Sequence, residues 1–121
     1  MSKYKCTLKH LHINIAAEFE KFKQNMLTTS KLNIFEESYK INFYTQIFEF
    51  LTYEKPILDI EFYVVLLKED ENHIIQSLWD YYLKIEDSSV NTWNDIEELI
   101  KNYIIRYYYG ILAKIQEEIY V

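Results

Sequence analysis

The sequence predicts an all-α protein, a compact bundle of about five helices forming one domain over residues 1–121. Three observations predict it. Apolar side chains recur at three- and four-residue steps along most of the chain, the period that gathers one face of a helix. Glycine and proline occur once each, where averages of about 7 and 5 per cent would supply the tight turns of a sandwich or the phosphate loop of a parallel sheet. Half of the 121 residues are hydrophobic and 26% are charged, the balance of a chain that folds around its own core.

Leu8, Leu11, Ile15, Phe19, Phe22 and Met26 form the stripe of a first helix over about residues 7–27. A second opens at Asn33, a cap whose own amide Glu36 can reach from three residues on. Phe35, Tyr39, Phe43, Ile47, Phe50 and Leu51 continue its stripe, Tyr44 and Phe48 widen it, and Pro56 forbids its extension. Asp59 is a candidate cap for the next segment, IEFYVVLL, whose β-branched and aromatic content would also suit a strand. Helix is the better reading, because a lone strand would have nothing to pair with. A fourth helix, about residues 72–85, places Ile75, Leu78, Trp79 and Tyr82 on one side. Thr92 and Asp95 stand at capping-box spacing before a long last helix carrying Ile96, Leu99, Tyr103, Tyr107, Ile111, Ile115 and Ile119. Gly110 sits inside that pattern and marks either a bend or a close helix crossing.

Cys6 is the single cysteine, which excludes an intramolecular disulfide and, with no signal-peptide pattern, points to a cytoplasmic protein. No apolar run reaches the roughly 18 residues of a membrane span. Charge is unevenly spread: residues 1–31 hold six lysines against Glu18 and Glu20, while Glu69 to Glu98 holds nine acids and one lysine. The net charge of −6 repels phosphate and disfavours direct nucleic-acid binding, which only the basic N-terminal segment would support.

No catalytic, metal or nucleotide motif stands out. His10 and His12 fall on different sides of a helix with no carboxylate or thiol at ligand spacing from both, and His73 reads as a surface residue at a helix start. Glu97 with Glu98, Glu117 with Glu118, and the run Glu69, Asp70, Glu71 read as solvated faces, since general acid–base work needs a carboxyl in an apolar pocket. Acids near helix starts, Asp59, Asp95, Glu97 and Glu98, also face the positive end of the dipole. Ser88 and Ser89 lie in a turn, not a nucleophile elbow. The expectation is a protein that is not an enzyme and needs no cofactor or metal.

The aromatic content is the more informative feature. Twelve Tyr, seven Phe and two Trp exceed what a bundle of this size hides with every phenol satisfied. Tyr107, Tyr108 and Tyr109 span about 200° of a helix, so at least one faces outward. Within SLWDYYLKIEDSSVNTW, residues 77–93, Leu78, Trp79 and Tyr82 are expected to anchor the core, with Asp80, Tyr81, Glu86 and Asp87 displayed on the rim.

The stretches NIAAEFEKFKQNML, FEESYKINFYTQIFEFL and SLWDYYLKIEDSSVNTWNDIEELIKNY resemble an uncharacterised family of short helical proteins from low-GC Gram-positive bacteria and their mobile elements. The likeness lies in an acid-aromatic repeat (Glu18, Phe19, Glu20, Phe22), a Ser-Tyr helix (Ser38, Tyr39) and a Leu-aromatic-acid-aromatic-aromatic-Leu segment (Leu78 to Leu83). It covers roughly residues 10–103. The chain departs from the pattern from Ile104 onward and around Pro56, and the resemblance implies a helical fold and a mobile-element setting but no activity.

Two functional expectations follow. The first is an acidic protein-binding module, an anti-CRISPR-like phage or mobile-element inhibitor of a nucleic-acid-handling defence enzyme with a basic channel. Its contact surface would be Asp80, Tyr81, Glu86, Asp87, Asp95 and Glu98. The alternative is a structural homo-oligomer or adaptor, such as a homodimer, assembled through Ile104, Tyr108, Leu112 and Ile119 of the last helix.

Overall fold

A computed structural model describes residues 5–27, 38–85, 90 and 92–120. Among them are five helices and no strand: α1 (Lys5–Leu27), α2 (Ser38–Leu51), α3 (Ile60–Asp70), α4 (Ile74–Lys84) and α5 (Trp93–Tyr120). The all-α bundle follows the periodicity, and IEFYVVLL is helix. The Asn33–Glu36 cap lies outside the described residues.

Helix α3 is the hub. Phe62, Tyr63, Val64, Val65 and Leu66 are all buried, so α3 is apolar nearly all round, as a helix enclosed by neighbours must be. It packs most extensively on α5 and also on α1 and α4. Its β-branched and aromatic content, ambiguous in isolation, reflects that enclosure rather than a pleated sheet.

The α1 stripe behaves as its spacing predicts, with Leu11, Ile15 and Phe22 buried and Phe19 packed against the core. Against α2 it stacks rings: Phe19 on Phe48 at 4.4 Å between centroids and Phe22 on Tyr44 at 3.9 Å. Tyr39, expected in the α2 stripe, is instead 83% exposed in the first turn of the helix. The α2 helix ends at Leu51, five residues short of Pro56. The connection to α3 is braced from inside by Tyr63, whose hydroxyl accepts the amides of Ile57 at 3.1 Å and Leu58 at 3.2 Å.

Caps divide into one success and one correction. Thr92 and Asp95 close a reciprocal box, the Asp95 amide donating to Thr92 Oγ1 at 3.2 Å and the Thr92 amide to Asp95 Oδ2 at 3.1 Å. Asp59 does occupy the N-cap position of α3, but its side chain makes no cap hydrogen bond. Glu61, two residues on, is 3% exposed and turns away toward α5, taking Gln116 Nε2 at 3.3 Å and the Tyr120 hydroxyl at 3.1 Å.

The bend in α5 falls at Tyr108, whose φ of −134° and ψ of 27° are not helical. Gly110 is not a crossing point: a Cβ there would meet nothing within 4 Å. On the two sides of the bend Ile104, Leu112 and Ile115 line the core, while Tyr107 is exposed. Among the described residues, no helix is long and apolar enough to cross a membrane.

Candidate functional site

Helix α4 lies between two aromatic layers, and this decides which of its tyrosines is core. On one side Trp79 and Tyr82 pack on Phe43 of α2, each at 5.1 Å. On the other, Tyr81 meets Tyr103 at 5.4 Å and Tyr107 at 5.8 Å, both of α5. Tyr81, expected on the rim, is therefore buried at 8% exposure, whereas Trp79 and Tyr82 are half-buried. A single apolar stripe cannot describe a helix that packs on two sides.

Between α4 and α5 this second layer leaves a groove of about 210 Å³. Helix α4 supplies Ser77, Asp80, Tyr81 and Lys84, and α5 supplies Tyr103, Tyr107 and Tyr108. The rings of Tyr81 and Tyr107 stand at 86° to each other, and those of Tyr103 and Tyr108 at 82°, an edge-to-face arrangement that matches positive ring edges with negative faces. The Arg106 guanidinium lies over the Tyr107 ring at 5.8 Å.

Asp70, at the last position of α3, organises the tyrosines. Its Oδ2 accepts the Tyr103 hydroxyl at 2.7 Å, and its Oδ1 accepts Ser77 Oγ at 3.3 Å and the Tyr108 hydroxyl at 3.4 Å. Expected on a solvated face, it is half-buried. Burial pushes its carboxyl above the usual carboxylate range, against the lowering effect of the three hydroxyls. Burial and the Asp70 bond likewise push the Tyr103 phenol up. The signal was present: Tyr63, Leu66 and Asp70 share helical spacing, so the acid continues the buried face of α3.

A larger cleft, about 600 Å³, opens between α1, α2 and the start of α4. Its inner wall is Glu18, which takes the backbone amides of Ile75 at 3.0 Å and Gln76 at 2.9 Å and so caps α4 from another helix. Burial raises the Glu18 carboxyl, while those amides and the charge on His73 pull it down. The Tyr44 hydroxyl donates to Gln76 Oε1, and Gln76 Nε2 donates onward to Asp80 Oδ1 at 2.9 Å, linking the cleft to the groove. The cleft's inner polar groups thus hold the helices together.

Of the expected contact residues, Asp80 and Tyr81 meet at the groove. Glu98 is exposed on α5, Asp95 serves the α5 cap, and Glu86 and Asp87 lie outside the described residues. The expected self-association face is corrected: Ile104 and Leu112 are 0% and 4% exposed, and Tyr108 and Ile119 pack against the same core. What α5 displays is Trp93, Ile105, Tyr107, Tyr109 and Tyr120. Among the described residues, no group of three or more His, Cys, Asp or Glu side chains is placed to hold a metal ion.

No protein-family model matches the chain. Comparison with the curated proteins and with the solved structures returns no match either.

Proposed function

We propose that this chain is a protein-binding module and not an enzyme, and that it docks a basic surface of its partner against the α4–α5 face. The carrying observation is the convergence of Asp80, Tyr81 and the outward ring of Tyr107 at one groove on a protein of net charge −6. Aromatic rings give contact area at low cost in rotamer entropy, and the negative field speeds encounter with a positive partner. Its setting, following the resemblance to mobile-element proteins, is that of a cytoplasmic inhibitor blocking the basic channel of a bacterial defence nuclease.

Titrating the purified chain into cleavage assays of RNA-guided nucleases, at low and high salt, tests the reading. It expects stoichiometric inhibition that weakens with salt and is lost in Asp80→Lys. Inhibition indifferent to both would sink it, as would no inhibition together with no co-elution with any basic-channel partner in size exclusion. Light scattering on the same runs reports the competing outcome, a homodimer through the displayed residues of α5.

A further inference from the structure

We propose that the α4–α5 groove is a receptor for an arginine side chain presented by the partner, with tyrosine rings as its walls and Asp80 as its counter-ion. The inference rests on the docking role above and specifies its chemistry. Tyr81, Tyr103 and Tyr107 form a continuous cluster with centroid separations of 5.4, 5.6 and 5.8 Å, in which the buried rings of Tyr81 and Tyr103 hold the exposed Tyr107 ring, whose electron-rich face is open to a cation. One of these rings already carries a guanidinium, that of Arg106 over Tyr107.

The floor is pre-set. Asp70 holds the hydroxyls of Tyr103 and Tyr108, which fixes both rings before any ligand arrives, and such preorganisation lowers the cost of binding. Asp80 is exposed at the groove, and the hydrogen bond that its Oδ1 accepts from Gln76 leaves acceptor capacity for an incoming N–H fork. A planar guanidinium can lie on a ring and meet that carboxylate in the same pose, whereas a lysine ammonium is a strongly hydrated point charge that gains less from both. Lys84 lines the same groove and opposes any incoming cation, so it sets the affinity from the other side.

The test is a titration of the isotope-labelled chain followed by backbone amide shifts, using a blocked Gly-Arg-Gly-Arg-Gly peptide and its lysine counterpart as probes. The arginine peptide is expected to move amides of residues 77–84 and 103–108 and to bind about tenfold more tightly than the lysine peptide. Tyr107→Leu should weaken it about tenfold, Asp80→Asn about threefold, and Lys84→Ala should tighten it about threefold. All three positions bear exposed side chains, and the unperturbed spectra report that the variants fold. Equal binding of both peptides, or shifts scattered over other acidic surfaces, would overturn the arginine receptor while leaving a basic-surface docking role standing. No shifts with either peptide at millimolar concentration would overturn both.

Discussion

The side chain of Glu18 and the backbone of Ile75 are 57 residues apart in sequence and 3.0 Å apart in space. With the Gln76 amide at 2.9 Å, the carboxylate satisfies two of the donors that every helix start leaves open. The cap comes from α1 rather than from the residue before α4, where His73 makes no side-chain cap bond. One side chain thus holds α1 to α4.

Replacing Glu18 separates its two effects. Glu18→Ala removes the cap and should cost about 1–2 kcal/mol, read by urea denaturation. Glu18→Gln keeps one acceptor and has no charge. Because burial raises the folded carboxyl above its unfolded value, the stability linked to it is full below the unfolded pKa and is lost as pH rises through the folded one. The wild type should therefore lose ground to Glu18→Gln as pH rises past the unfolded carboxyl value. A difference that moves the other way would mean the two amides outweigh desolvation.

The helices were legible because a 3.6-residue period needs no knowledge of partners, and the scarcity of glycine and proline leaves few rivals to it. The inward carboxylates were not. Nothing in the spacing marks Glu18 or Glu61 as inward, and none of the three, Asp70 included, has a visible role until the amides and hydroxyls that donate to them are brought from other helices. Tyr81 and Tyr82 were ordered wrongly for a related reason: periodicity assigns one inner face, and α4 has two. Half of the site was visible in Asp80 and the tyrosine surplus, while its floor depended on a contact from α3.

Tyr103 ties the groove to the stability of the fold at high pH. Its phenol is raised by burial and by Asp70, so its contribution is full below the unfolded value of about 10 and is lost as pH rises beyond it. In a spectrophotometric tyrosinate titration, this ring should stay protonated at pH 11 and ionise only with unfolding. Tyr103→Phe should shrink that delayed phase by one tyrosine, since burial raises Tyr44 and Tyr63 as well, and cost about 1–3 kcal/mol at neutral pH, because a bond to a carboxylate is lost and Asp70 is left with weaker partners.

Tyr63 braces the turn that follows α2. Changing it to Phe keeps the ring in the core but strips the acceptor from the amides of Ile57 and Leu58. Unpaired amides cost about 1–3 kcal/mol when water cannot replace the partner, and Leu58 is buried. Hydrogen exchange at Ile57 and Leu58 should accelerate ahead of the α3 amides. Uniform acceleration across α3 would show that the hydroxyl supports the whole helix rather than the turn.

The far end of α5 is held by the pair of bonds into Glu61. Glu61→Ala leaves Gln116 and Tyr120 without that acceptor. Exchange should quicken in the last turn of α5 while amides near Ile100 and Ile104, both at 0% exposure, keep their protection. Loss of protection along the whole of α5 would mean that the terminal bonds, and not the apolar seam, set its stability.

Gly110 supplies the sharpest test of where α5 bends. Were the glycine the cause, a side chain there would strain the helix or strike a neighbour. Its surroundings are open, with nothing within 4 Å of the added Cβ, and the non-helical backbone belongs to Tyr108. Tyr108 has its own reason to sit off the helical path, since its hydroxyl reaches Asp70. Gly110→Ala should therefore stabilise the protein by about 0.5–1 kcal/mol, through lower entropy of the unfolded chain and better helix propensity. A rise in the urea midpoint with unchanged slope is the expected reading. A fall would place the bend at the glycine after all.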